Sequence, residues 1–326
     1  MYLEDLKFSL WADFIERDYL DKEFKELIDK KIINGATSNP AIFKSAILSS
    51  AAYKEQLATL EGHTPKEKYE AVAIYDIQKA ADILKPLFDA GDDGYVSIEV
   101  DPFLCDDAEG TIAEGKRLFA AIGRENVMIK VPATAAGYVA MEALSGLGIP
   151  VNATLIFSKE QALACAKAFG AGAKKAPKVA DSVISVFVSR IDRAIDPLLK
   201  EAGIVPALSG IYNSASIYNA IETMQVPRCR TLFASTGVKD NSLSAHYYVD
   251  GLLGYNTVNT APIDTIKAFH QEGKKLKVLP IAEEEIAEHF AKLKDQGIDF
   301  DAVVAKQISD GLEAFKEAFT EILEAL

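Results

Sequence analysis

The stretch NVMIKVPATAAGY (126–138) places a lysine where an ammonium is costly. Val127, Met128, Ile129 and Val131 form a short apolar run ended by Pro132, the pattern of a strand buried on both faces. Lys130 lies inside that run, near its C-terminal end. Lysine is rarely buried without a partner, because desolvating its charge is expensive. Two readings are open. Lys130 pairs with a buried carboxylate or carries its ammonium to the strand end on its aliphatic stem. Alternatively, burial depresses its pKa and leaves a neutral amine able to attack a carbonyl.

Outward from this run, further short apolar runs alternate with longer amphipathic stretches. The expected strands are 8–13, 33–38, 95–101, 127–133, 149–157, 182–190, 230–235 and 255–260. Leu20, Phe24, Leu27 and Ile28 share the spacing of one helix face. Ser158 and Gln161 open a helix as a capping box, and Gly170 is the expected stop. Eight strand-like runs separated by helices favour a (β/α)8 TIM barrel over an open sheet. About 250 residues suffice for that fold, so the surplus is assigned to additional terminal helices. No linker rich in Pro, Gly or Ser divides the chain, and 1–326 is read as a single domain. The tail from Asp301 repeats apolar residues at Ile308, Leu312, Phe315, Phe319, Ile322 and Leu326, a helix face expected to pack on the barrel. That face suits an interface equally well, so monomer and homodimer both stay open.

Composition narrows the function. The chain has 326 residues, 49% hydrophobic and 25% charged, enough for a large core. A net charge of −13 argues against a broad nucleic-acid surface, though not against a small anionic ligand. No apolar segment is long enough to span a membrane, and the acidic start MYLEDLKF does not read as a signal peptide. Three widely spaced cysteines suit reduced thiols and a cytoplasmic location. Four scattered histidines give no metal-binding spacing, and neither GxGxxG nor GxxxxGK[ST] occurs. No metal and no cofactor are expected.

In a barrel of this kind, active sites form at the C-terminal ends of the strands. Polar residues do fall late in the runs: Asp13, Thr37, Ser38, Asn39, Glu99, Asp101, Lys130, Asn152, Thr154, Ser185, Arg190 and Ser235. Each taken singly suits a cap or turn. Together, a lysine among carboxylates and hydroxyls at a barrel mouth suggests Schiff-base carbon chemistry.

Two blocks carry a family resemblance. NGATSNPAIF (34–43) resembles the first transaldolase signature, and IKVPATAAGYVAM (129–141) resembles the second, which holds the Schiff-base lysine. SIEVD, VNATLIFS, SVFVSRID and FASTGVKD follow in family order, from Asp13 to about Pro262. The resemblance implies a class I aldolase-type barrel of the non-oxidative pentose phosphate pathway. Its reaction moves a dihydroxyacetone unit from sedoheptulose 7-phosphate to glyceraldehyde 3-phosphate, giving erythrose 4-phosphate and fructose 6-phosphate.

The roles it implies follow the reaction. Lys130 forms the iminium. Glu99 moves protons through a water held with Thr154, and Asp13 takes the C4 hydroxyl proton. Asn39, Asn152 and Ser185 hold the dihydroxyacetone moiety. Phe187 stands where fructose 6-phosphate aldolase relatives carry Tyr. Arg190 and Ser235 take the phosphate. The better-known branch has an arginine two residues after that serine; here Gly237 stands there, so Lys239 is the expected replacement. The alternatives are a lyase releasing dihydroxyacetone, and a non-catalytic barrel that binds sugar phosphates.

Overall fold

All eight runs form parallel strands, which close in chain order into one barrel. The computed structural model describes residues 2–239 and 242–326; Asp240, which ends the FASTGVKD block, lies outside them. The strands are β1 (Ser9–Ala12), β2 (Gly35–Thr37), β3 (Tyr95–Glu99), β4 (Val127–Pro132), β5 (Val151–Ile156), β6 (Ser182–Phe187), β7 (Cys229–Ala234) and β8 (Val258–Ala261). Because β1 pairs with both β2 and β8, no strand edge is left open. The fold is a (β/α)8 TIM barrel.

Alternation along each strand separates two cores. Val127, Ile129 and Val131 pack with helix residues such as Val72, Leu118 and Leu144. Met128 instead joins Trp11, Tyr95, Leu232 and Val258 inside the barrel. Lys130, two residues beyond Met128, therefore belongs to the interior side of the same strand. A strand buried on both faces accommodates a lysine because its inner face ends at the barrel mouth.

Several helix boundaries differ from the sequence pattern. The Ser158–Gln161 capping box forms, but its helix runs Lys159–Lys175, through Gly170. Gly170 does not take the left-handed backbone that a glycine stop needs. The continuing helix instead packs closely on Ala135–Gly146, where a Cβ on Gly172 would lie 2.8 Å from the carbonyl oxygen of Glu142. The early helix face is split into Arg17–Asp21 and Glu23–Asp29 by an irregular backbone at Lys22. Run 182–190 ends as a strand at Phe187, and a helix occupies Ser189–Glu201. Run 255–260 starts late, at Val258, after Asn256 turns with φ +58°.

After β8 come three helices, Ile263–Glu272, Glu283–Asp295 and Phe300–Ala325. The last is started by the Asp299 side chain, which accepts from the Ala302 amide at 3.0 Å. It touches the helices Pro40–Ser49, Pro65–Asp89 and Ser189–Glu201 as well as β5, and so lies on the barrel. Gly311 makes the approach possible: a Cβ there would come within 3.2 Å of Leu155 and 3.3 Å of Phe157. No helix among the described residues is long and apolar enough to cross a membrane.

Candidate active site

Lys130 is 5% exposed, and its Nζ donates to the Ser38 carbonyl oxygen at 3.0 Å. The same nitrogen stands 3.7 Å from Oε2 of Glu99. Parallel register produces this approach, because Glu99, Lys130 and Asn152 are successive partners across β3, β4 and β5. Lys130 also lines a cavity of about 410 Å³ formed by residues late in β1, β2, β4, β6, β7 and β8. It is thus both paired with a carboxylate and presented to a space large enough for a small molecule.

Burial raises the pKa of Glu99 to about 7; the neighbouring Lys130 opposes the rise, and Asp13 adds to it. A carboxyl that titrates there is suited to both donating and accepting protons near neutrality. Among the described residues its Oε2 has no hydrogen-bond partner, nor has Oγ1 of Thr154. Neither residue borders the large cavity.

Asp13 follows β1 and does border it. The side chain accepts from Thr37 Oγ1 at 2.7 Å, and Thr37 in turn contacts Thr260 Oγ1 at 2.6 Å. Three strands thereby fix one carboxylate. Burial raises the Asp13 pKa, while Lys130, the Thr37 hydrogen bond and Arg190 hold it down. Asp13 is not a helix cap; Glu16 caps the following helix.

Asn39 has two duties. Its Oδ1 caps the helix Pro40–Ser49 by accepting from Ile42 N at 3.0 Å, while the residue also lines the cavity. Asn152 is fully buried: it donates to Ser97 Oγ at 3.1 Å and accepts from Ser185 Oγ at 2.6 Å. Ser185 carries that contact to the cavity wall. Asp101, although late in its run, turns away, capping Phe103 and pairing with Lys66 at 2.6 Å.

Arg190 sits in the first turn of Ser189–Glu201, with its guanidinium 5.2 Å from the Phe187 ring centre. Burial and the nearby Arg193 lower its pKa, and Asp13 opposes them. Ser235 lies opposite: its carbonyl accepts from Ser189 N at 3.0 Å, and the two hydroxyls are 3.1 Å apart. Ser235 takes a left-handed backbone, φ +56°, which costs a non-glycine residue about 1 kcal/mol or more. Thr236 secures that turn by donating to Asn259 Oδ1 and to the carbonyl oxygen of Thr260.

Asp13, Asn39, Lys130, Ser185, Phe187, Arg190 and Ser235 thus share one cavity, with Glu99, Asn152 and Thr154 buried in the surrounding strands. Lys239 is exposed and does not line the cavity. Three further residues contribute. Thr37 is among the late polar residues of the runs, with no role expected of it from the sequence, and Thr260 is a strand-end hydroxyl of the same kind. Phe315, whose ring centre is 5.9 Å from Lys130 Nζ, comes from the C-terminal helix and has no local signature beyond an apolar face.

The description transaldolase/fructose-6-phosphate aldolase belongs to a family model that matches residues 10–326. Among similar proteins is the transaldolase of Campylobacter jejuni subsp. doylei, 47% identical over 330 aligned positions that cover 98% of this chain and 99% of that protein. The transaldolase of Helicobacter pylori strain P12 is 44% identical, over 98% of this chain and 99% of its own length.

Proposed function

Since this chain belongs to the transaldolase/fructose-6-phosphate aldolase family, we propose that it acts as a transaldolase on phosphorylated sugars, with Lys130 as its covalent nucleophile. The observation that carries this reading is the buried Lys130 amine facing the cavity, 3.7 Å from a carboxyl that titrates at about 7.

The chemistry begins with a proton passing from the Lys130 ammonium to Glu99, leaving a neutral amine. The amine adds to the ketose carbonyl, and a proton shift gives the carbinolamine. Protonated Glu99 returns its proton to the carbinolamine hydroxyl, directly or through a water bound with Thr154. Water leaves, and the iminium and the Glu99 carboxylate remain. The iminium accepts the electron pair of the C3–C4 bond while Asp13 takes the C4 hydroxyl proton. The first aldose departs, and an enamine stays on Lys130. When the acceptor aldehyde enters, Asp13 gives its proton to the new C4 oxygen as the enamine carbon attacks. Hydrolysis of the product iminium restores the free lysine.

Asn39 and Ser185 hold the hydroxyls of the three-carbon unit, and Asn152 fixes Ser185. Arg190 offers a forked donor set to the phosphate, beside Ser235 and the amino end of the helix Ser189–Glu201. Lys239 contributes to this end only if the loop after Ser235 brings it inward on binding. The enzyme's setting is the cytoplasm, as monomer or homodimer. The lyase alternative has Phe187 against it, because an apolar ring offers no proton to quench the enamine.

Borohydride reduction with fructose 6-phosphate, followed by peptide mass mapping, tests the reading. The expected result is a three-carbon or hexose adduct confined to Lys130; an unmodified chain, or an adduct on another residue, rejects it.

A further inference from the structure

Glu99 borders a second, much smaller cavity. Its volume is about 10 Å³, close to the space one water molecule needs. Tyr69, Lys66, Asp101 and Glu114 share its wall with Glu99. Glu99 is 7% exposed, and its Oε2, which stands 3.7 Å from Lys130 Nζ, lacks a hydrogen-bond partner among the described residues. A buried carboxyl oxygen without a donor is costly. Here it belongs to a residue lining a space of water size, whose wall mixes those polar groups with Ala73, Ile98, Leu118 and Phe319.

We propose that this cavity is a water-binding site through which Tyr69, backed by the Lys66–Asp101–Glu114 cluster, orients Glu99 and sets its protonation. Tyr69 is then a positioning residue for the proton transfers at Lys130, an inference that rests on the role given to Glu99 above.

The surroundings suit that task. The Tyr69 ring is held edge-on against Phe43 and Phe319, with centroids 5.9 and 5.2 Å away. Burial and the carboxylates around it, Glu99 foremost, keep its hydroxyl protonated, so it acts as a donor. Lys66 bridges Asp101 at 2.6 Å and Glu114 at 3.0 Å, and Glu114 Oε1 accepts from Asp101 N at 2.6 Å. Arg117 joins Glu70 at 2.7 Å to Glu114 at 3.4 Å. The side chains of Lys66 and Arg117 are 37% and 48% exposed, so the chain of charges reaches solvent. The groups facing Glu99 are thus Lys130 from β4 and Asp13 after β1, with Tyr69, Lys66, Glu70, Asp101 and Glu114 on the small-cavity side.

The test titrates Glu99 in the full-length protein by infrared difference spectroscopy. Its protonated C=O band is assigned by its loss in Glu99→Gln, and the pH profile of kcat/KM is recorded in parallel. Tyr69→Phe keeps the ring and removes one oxygen. Its melting temperature is expected to hold, while the Glu99 titration moves upward by about half a pH unit or more, because a lost donor disfavours the carboxylate. Glu114→Gln, which removes a negative charge from the cluster, is expected to move it downward. A folded Tyr69→Phe protein in which Glu99 titrates as in the wild type overturns the proposal, even if kcat falls. An atomic-resolution crystal structure with no water in the cavity does the same. If the wild type shows no transfer activity, the transaldolase reading fails, and the infrared titration still decides the cavity.

Discussion

Glu99 and Lys130 face one another in register on β3 and β4, with Oε2 3.7 Å from Nζ. Lys130 is the opposite charge that acts on buried Glu99, and it acts on Asp13 as well. Replacing Glu99 with Gln removes the proton carrier but leaves the amine. The expected loss in kcat is about 10²- to 10⁴-fold. Borohydride trapping should slow but remain on Lys130, and an inflection of the pH–rate profile near 7 should disappear. Normal turnover in Glu99→Gln would rule out this role.

In the proposed mechanism Asp13 acts one step later. It is held by Thr37, itself in contact with Thr260, and in that mechanism it meets the hydroxyl proton only after the iminium exists. Asp13→Asn should therefore still form the iminium from fructose 6-phosphate while cleavage falls about 100-fold or more. Mass mapping after borohydride should show the intact hexose phosphate on Lys130. A predominantly three-carbon adduct would mean that cleavage proceeds without Asp13.

Transfer requires that the enamine outlive the departure of the first aldose. Phe187 and Phe315 both line the cavity, and Phe315 lies 5.9 Å from the lysine nitrogen. Phe187→Tyr places an acidic hydroxyl there and should raise dihydroxyacetone release relative to transfer. Acceptor-dependent and acceptor-free rates give the ratio; equal falls in both would dismiss the idea.

The proposed phosphate end separates two cations. Arg190 lines the cavity, whereas Lys239 is exposed outside it. Arg190→Lys keeps the charge but loses the fork, and KM for phosphorylated sugars should rise about tenfold or more. Lys239→Ala should raise KM by less. The reverse order in steady-state kinetics would place the phosphate on the Lys239 side.

Asp192 provides a test of stability apart from catalysis. It is 1% exposed, and Oδ1 accepts from Gly210 N at 2.7 Å. Burial raises its pKa from 3.8 to about 7, against the Gly210 hydrogen bond and with help from Asp196. The native state then binds more protons than the unfolded state between those values. Stability therefore falls as pH rises across this window and is flat above it. Asp192→Asn should be more stable than the wild type at pH 8, by at most about 4 kcal/mol, with the advantage fading toward pH 4. Chemical denaturation at both pH values measures this, and an equal difference at both would refute it.

Much of this was legible because the strand has a period of two. Val127, Ile129 and Val131 on one side, with Met128 and Lys130 on the other, fix which residue enters the barrel once the run is read as a strand. The same alternation yields Trp11 with Asp13 and Tyr95 with Glu99. Where the chain leaves that period, alternation no longer reports the structure. The run 182–190 carries Arg190 past the strand onto a helix, and the helix through Gly170 continues because its backbone makes no left-handed stop.

By itself, the sequence determined the eight strands, their order and the late polar residues, since alternation, caps and turns are written in neighbours a few positions apart. Only the tertiary structure decided that Glu99 meets Lys130 at 3.7 Å, that Thr260 supports Asp13 through Thr37, and that Phe315 covers the lysine. Those contacts depend on strand register, barrel closure and the path of the last helix, which join residues far apart in the chain and leave no local pattern.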